Sequence, residues 1–215
     1  MDAETGLRER KKQQTRRTLA DTARHLFAQR SFEEVSVAEI ARAADVSVAT
    51  VFNYFPTKED LVYDGLERFE EELLSAIRDR SAGESALAAF ANFVLAPRGM
   101  FATSDPAIAA ELLAVTRMIA ASPSLLAREH EIFARYTTSL ARLLAEETHA
   151  GTGDPRPAVA AAAMIGVHRT LIAYVRDRVR AHDPDLRRLA RDTRAYGARA
   201  LALLDEGLAD YAIKR

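Results

Sequence analysis

Residues 36–61 read SVAEIARAADVSVATVFNYFPTKEDL, and this stretch decides the fold. Ser36 followed by Glu39 is a capping box, in which the hydroxyl bonds the Glu39 amide and the carboxylate reaches back, so a helix starts at about residue 37. Val37, Ile40, Ala41 and Ala44 recur at helical spacing and give that helix one buried face. Asp45 falls where the chain must turn, and aspartate tolerates left-handed backbone angles better than most residues. Val46 is apolar and plugs the corner. Ser47 is a good N-cap for a second helix, from 48 to about 55. Pro56 stops it, because the residue before a proline disfavours helical angles. Thr57 with Asp60 opens a third helix with another capping signal. Two short helices, a tight turn and the start of a third suit a surface that lies on a DNA backbone.

The short middle helix is two-faced. Val51 and Phe55 point to one side and should pack on the preceding helix. Ala49, Thr50, Asn53 and Tyr54 point largely away; they are small or hydrogen-bonding, which suits a helix pushed into the major groove. Val48 and Phe52 lie on the margin, able to pack inward or to touch a thymine methyl. Lys58 is a cation in the first turn of a helix, where it opposes the helix dipole unless a phosphate lies there.

The string TVFNYFPTKEDL, within a match over roughly 10–66, resembles the recognition helix and following helix start of the tetracycline-repressor (TetR) family of transcriptional regulators. Upstream, LADTARHLFAQRSFEEVSVAEIA resembles the family's first two helices, with Phe27 and Phe32 as core aromatics. The resemblance implies that Ser47, Val48, Ala49, Thr50, Phe52 and Asn53 face base edges or nearby backbone, and that Tyr54, Lys58 and Ser36 hold phosphates. Ser31 and Asp45 stand where the family usually has glycine, so both turns need unusual angles in non-glycine residues or a slightly different turn. Phe52 stands where a tyrosine is common.

Composition is consistent with this. The 215 residues are 48% hydrophobic with a formal net charge of -1, so the whole molecule is not a basic nucleic-acid binder. The charge is uneven, however. Arg8, Arg10, Lys11, Lys12, Arg16 and Arg17 crowd the N-terminus, and beside a helix-turn-helix they read as an arm or helix end laid on phosphates. There are no cysteines, which removes disulfides and thiolate chemistry and fits a cytoplasmic protein. The N-terminus is not a signal peptide, and the longest apolar run, 158–167, is about half a membrane span. A soluble protein with no membrane partner is expected.

Nearly all periodicity is helical, so the predicted fold is all-α with about nine helices. A three-helix DNA-binding domain (1–56) is followed by a helical effector-binding and dimerisation domain (57–215). A long helix from 58 to about 80, with Val62, Leu66, Phe69, Leu73 and Ile77 as its stripe, joins them. Further helices are predicted over 85 to about 95, 106 to about 121, 123 to about 149, 158 to about 182 and 185 to about 211, the last ending near Tyr211. The last two are rich in small residues, among them Ala160, Gly166, Ala173, Ala195 and Ala202, which let helices approach closely. That pattern serves either tight packing inside one subunit or a homodimer interface; the resemblance implies the second, and one short recognition helix reads too few base pairs while two on a two-fold axis read a palindrome.

No catalytic pattern is present, so the chain is not expected to be an enzyme or to need a cofactor. His130-Glu131 lacks the second histidine of a zincin helix, and no serine sits in a nucleophile elbow. His25, His130, His149, His168 and His182 are scattered, so no metal site is expected. The middle helices instead place aromatic, methionine and isolated polar residues on apolar faces: Phe90, Phe93, Arg117, Met118, Phe133, Tyr136, Thr137, Met164 and His168. A mostly apolar cavity with a few polar groups is what small-molecule sites look like, although the same residues also describe a plain helical core. Arg117 and His168 are the sharper cases, since a polar group in an apolar stretch needs a partner. The family resemblance implies a hydrophobic effector, acyl-CoA-like or a lipophilic drug, that releases a repressor dimer from double-stranded operator DNA. A DNA-binding regulator without an effector is the alternative.

Overall fold

The computed structural model describes residues 2–103, 105–181, 185–208 and 213. His182 and the expected helix end near Tyr211 lie outside them. Among the described residues there are ten α-helices and one 3-10 turn, Gly99–Phe101, and the only strand-like feature is an isolated antiparallel bridge between Ser85 and Ile213. The helices are α1 (Asp2–Gln29), α2 (Val37–Ala43), α3 (Val48–Tyr54), α4 (Lys58–Val62), α5 (Leu66–Arg78), α6 (Ala86–Leu95), α7 (Pro106–Ala121), α8 (Pro123–Thr148), α9 (Arg156–Arg180) and α10 (Leu186–Leu208).

The expected long helix over 58–80 is two helices. α4 ends at Val62 and α5 starts at Leu66, with Gly65 in the left-handed region at φ +90°. Glycine takes that angle without the Cβ penalty that holds other residues in a helix. Tyr63, which begins the break, is buried and donates its hydroxyl to the Leu125 carbonyl at 2.8 Å. The Asp64-Gly65 pair was a visible turn signal, masked by an apolar stripe that runs through it in helical register.

The chain forms two compact units. The first is Met1–Gly65 with Pro106–Leu126. Its core is Leu19, Ala23 and Phe27 of α1 against Phe32, Val35, Ile40, Val51, Phe55 and Leu61, all nearly inaccessible. The α7 segment joins this core through polar ties. Arg24 pairs with Glu111 at 3.7 Å, and the buried Ser122 donates its hydroxyl to Glu33 at 2.7 Å.

The second unit is Leu66–Asp105 with Ala127–Arg215. Its core takes Leu73 and Ile77 from α5, Leu87 and Phe90 from α6, Tyr136, Leu140 and Leu144 from α8, and Met164 and Ile165 from α9. Two ion pairs pin the helices. Buried Arg80 reaches Glu147 at 2.7 Å and also donates to the Ile77 and Glu84 carbonyls. Arg176 makes a two-pronged pair with Glu129. Gly197 of α10 sits where a Cβ would lie 2.6 Å from Leu95 and 2.9 Å from Leu171, so part of the small-residue pattern serves packing within the chain. α9 is long and apolar enough to cross a bilayer by length and composition alone, although only about a third of that stretch is buried within the chain. Its exposed positions include Val159, Ala162, Arg169, Thr170 and Ala173.

Candidate nucleic-acid interface and effector site

The helix-turn-helix forms for the reasons its residues suggest. Ser36 accepts from the Glu39 amide at 3.2 Å, and the Glu39 carboxylate accepts from the Ser36 N–H at 2.8 Å and from Arg30 at 3.0 Å. The Ser36 amide, then Arg30 and the Ser36 hydroxyl, hold the Glu39 carboxyl down at about 2. Asp45 takes the left-handed conformation at φ +54°. The other glycine-lacking turn is built differently: Ser31 has no positive φ, and its amide donates to Glu34 at 3.0 Å. Ser47 caps α3 by accepting from the Thr50 amide at 3.0 Å, and Thr57 with Asp60 makes a full capping box on α4.

α3 presents its side chains in order around its axis. Val51 and Phe55 are buried at 1% and 0% exposure. Ser47 and Thr50 share a hydroxyl–hydroxyl bond of 2.8 Å and, with half-exposed Tyr54, form one edge. Ala49 and Asn53 are exposed at the centre. Val48 and Phe52 form the opposite edge, 40% and 47% exposed. A shallow depression of about 450 Å³ runs along the turn, lined by Ala38, Ala41, Arg42, Asp45, Val46, Ser47 and Val48.

The cations divide. Arg8, Arg10, Lys11, Lys12 and Arg17 are exposed on α1. Arg16 has partners within the chain: it donates to Asp64 at 2.8 Å and to the Tyr54 carbonyl at 3.2 Å, and its guanidinium lies 4.6 Å over the Phe55 ring. It thereby ties α1 to the end of α3 and to the break before α5. Lys58 donates to the Phe32 carbonyl and sits 4.1 Å over the Phe32 ring. Burial lowers its pKa, against the opposing pull of Glu33, Glu59 and Glu39. An ammonium has three donors, so this contact leaves capacity for an anion.

Residues 19–63 match the sequence profile of the family described as bacterial regulatory proteins, tetR family. The transcriptional regulator TcmR of Streptomyces glaucescens is 31% identical over 142 residues, which is 65% of this chain and 63% of TcmR. Residues 19–63 of this chain are thus a tetR-family segment. Two solved structures extend the likeness in fold across most of the chain. NalD, the secondary repressor of the MexAB-OprM multidrug efflux pump in Pseudomonas aeruginosa, is 20% identical, with a TM-score of 0.55 and coverage of 87% of this chain and 97% of NalD. FadR from Bacillus subtilis, in complex with stearoyl-CoA, is also 20% identical, with a TM-score of 0.54 and coverage of 88% and 97%.

The nine residues expected at an effector site are divided between the two units. Arg117 and Met118 belong to the first unit, where Arg117 is exposed and so needs no internal partner. Glu111, a possible partner for it, pairs with Arg24 instead. In the second unit Phe90 and Met164 are fully buried core residues, and the Thr137 hydroxyl donates to the Phe133 carbonyl of its own helix. Phe93, Phe133, Tyr136 and His168 do come together. His168 lies edge-on 5.7 Å from Phe133 and tilted 5.1 Å from Phe69, and Phe69 lies 5.3 Å from Phe93 and 5.8 Å from Tyr136. The Tyr136 hydroxyl is taken by the Leu66 carbonyl at 2.6 Å. His168 Nδ1 is shielded from solvent and has no hydrogen-bond partner. Burial, and then the positive charge of Arg98, push the His168 pKa down to about 4, so the ring is neutral.

Two members of this cluster escaped the sequence reading. Phe69 sat in the apolar stripe of α5 and looked like ordinary core. Arg98 sat in the loop after α6; it stacks 3.7 Å over Phe93 and pairs with Glu72 at 3.2 Å. Nothing local in the sequence brings residues 69, 98 and 168 together.

Proposed function

We propose that this chain is a ligand-responsive transcriptional repressor that binds a palindromic operator as a homodimer and leaves it when an apolar small molecule occupies the second unit. The observation that carries the reading is α3: a serine-capped helix whose inward side is packed and whose exposed side offers hydroxyls, an amide and apolar groups without one acidic residue. A helix of that make enters a major groove without charge repulsion. Ser47, Ala49, Thr50 and Asn53 are assigned to base edges and nearby backbone. Tyr54, Lys58, Ser36 and Arg17 are assigned to phosphates, with the exposed cations of α1 beside them, and Arg16 is assigned to holding α1 against the end of α3. Such a protein works where its operator is, in the cytoplasm.

Dimerisation has support in Gly166. It lies mid-helix on α9, where glycine weakens a helix by about 1 kcal/mol relative to alanine. A Cβ there would meet nothing within the chain. A second copy laid against this face gives the missing side chain a reason.

The effector assignment is supported by His168. An unpaired buried nitrogen is costly, and a ligand that hydrogen-bonds it between the Phe69, Phe93 and Phe133 rings removes that cost. TcmR, NalD and FadR are named as regulators, and the FadR structure holds stearoyl-CoA, which is consistent with a bulky apolar effector here. An effector-free regulator is the second reading, favoured by the complete burial of Phe90, Tyr136 and Met164.

Fluorescence anisotropy on duplexes selected from a random pool tests the assignment. Lys58→Ala should weaken all sequences alike and flatten the salt slope by about one unit, whereas Asn53→Ala should change sequence preference. Equal, sequence-blind losses from both refute the assigned roles. Release of the selected duplex by long-chain acyl-CoA or lipophilic dyes separates the two readings of the second unit.

A further inference from the structure

Two large apolar side chains, Val48 and Phe52, stand 40% and 47% exposed on α3, four residues apart and therefore about 40° apart round the helix axis. The inward side is already filled by Val51 and Phe55, at 1% and 0% exposure, so neither residue waits for a place in the core. They form one edge of the exposed face, beside Ala49 and Asn53 and opposite the Ser47–Thr50 hydroxyl pair. Ala49 is small enough for the helix backbone to approach a surface closely at the centre of that face.

We propose that Val48 and Phe52 form an apolar reading edge for thymine, packing on the 5-methyl group of a thymine in each half of the operator. The inference rests on α3 being the DNA-reading helix. It adds a base preference to that reading, and it makes Phe52 a specificity-determining residue rather than a phosphate contact. The chemistry follows from what the major groove displays. Guanine, cytosine and adenine offer acceptors or amino donors there, and thymine alone adds an apolar methyl. An apolar edge pressed on a cytosine amino group would leave that donor unpaired, whereas pressed on a methyl it removes apolar surface from water. Phe52 lacks a hydroxyl with which to satisfy either a phosphate or an amino group, so its contribution is contact area. Asn53, its neighbour at the centre of the face, has the paired donor and acceptor that match adenine. The edge and the centre of α3 are therefore suited to adjacent base pairs.

The test uses the full chain and a duplex selected by it from a random pool at low salt. That duplex is resynthesised with uracil replacing each thymine in turn, which deletes one methyl and nothing else. Wild type should bind about fourfold more weakly when one particular thymine of a half-site is replaced, the value of one buried methyl-sized group. Replacing that T·A pair by C·G should cost about tenfold or more. Phe52→Ala should still bind the duplex but lose the uracil penalty, and Phe52→Leu should keep most of it. Should Phe52→Ala bind too weakly to measure, Val48→Ala with Phe52→Leu carries the same comparison. Uracil neutral at every position for wild type, or a penalty unchanged in Phe52→Ala and Val48→Ala alike, overturns the inference while leaving α3 as the reading helix. A selection that enriches no sequence at all overturns the DNA-reading assignment and this inference with it.

Discussion

Replacing His168 with phenylalanine should flatten the pH dependence of this protein's stability between pH 6.5 and about 4. In the folded chain His168 lies among Phe69 and Phe133, with ring centroids 5.1 and 5.7 Å away, and its Nδ1 is sealed off without a partner. Burial first, and the nearby Arg98 second, lower its pKa from 6.5 to about 4. The unfolded chain therefore binds a proton on this ring that the folded chain refuses throughout that interval. Stability is complete above pH 6.5, falls as the pH drops toward 4, and falls no further from this cause below it. At about 1.4 kcal/mol per pH unit, the ring contributes a loss of about 2 to 3 kcal/mol, toward the lower figure because part of its edge is accessible. Phenylalanine keeps the ring contacts and cannot titrate. It also removes an unpaired nitrogen worth about 1 to 3 kcal/mol, so the variant should match or exceed wild type at pH 7. Urea unfolding followed by circular dichroism, at one protein concentration and at pH 7, 6, 5 and 4.5, gives the comparison. Titrations of carboxylates and of the other histidines cancel in the difference between the two proteins. Parallel curves for wild type and variant would refute the reasoning.

Other expectations follow from single contacts. Gly166→Leu should shift the protein toward monomer in sedimentation velocity, since overpacking a close helix contact costs about 1 to 3 kcal/mol, roughly 5- to 150-fold in the dimer constant; a variant that dimerises as wild type removes α9 from the interface. Glu147→Ala should lower thermal stability by about 2 to 3 kcal/mol, because it removes the carboxylate that buried Arg80 meets at 2.7 Å, and a change under 0.5 kcal/mol would mean the pair adds nothing. Asp45→Gly should stabilise the first unit by up to about 1 kcal/mol in urea titration, since φ +54° suits glycine better than aspartate; a destabilised variant would show that the carboxylate has a role the turn geometry does not explain.

Most of the helix-turn-helix was legible in the sequence because its determinants are local. Ser36 with Glu39, Ser47, Thr57 with Asp60, and Pro56 act on groups within about four residues, so their order in the chain is enough to place α2, α3 and the start of α4. The same holds for the burial of Val51 and Phe55 and for the left-handed turn at Asp45. The break between α4 and α5 was harder to read. Val62, Leu66 and Phe69 keep helical register across it, and periodicity outweighed the Asp64-Gly65 signal.

A helical protein with a helix-turn-helix was readable from the chain order, since helical period and capping are properties of neighbours along the chain. Which cations are engaged and which are exposed follows from the packing of distant segments, because Arg16 meets Asp64 and Tyr54 and Lys58 meets Phe32 across 26 to 48 residues of sequence. The fold alone assigned Arg117 and Met118 to the first unit, and brought Phe69, Arg98 and His168 together in the second. Side chains remote in sequence are brought together by how helices pack, and that packing is set by the sum of many weak apolar contacts rather than by any motif.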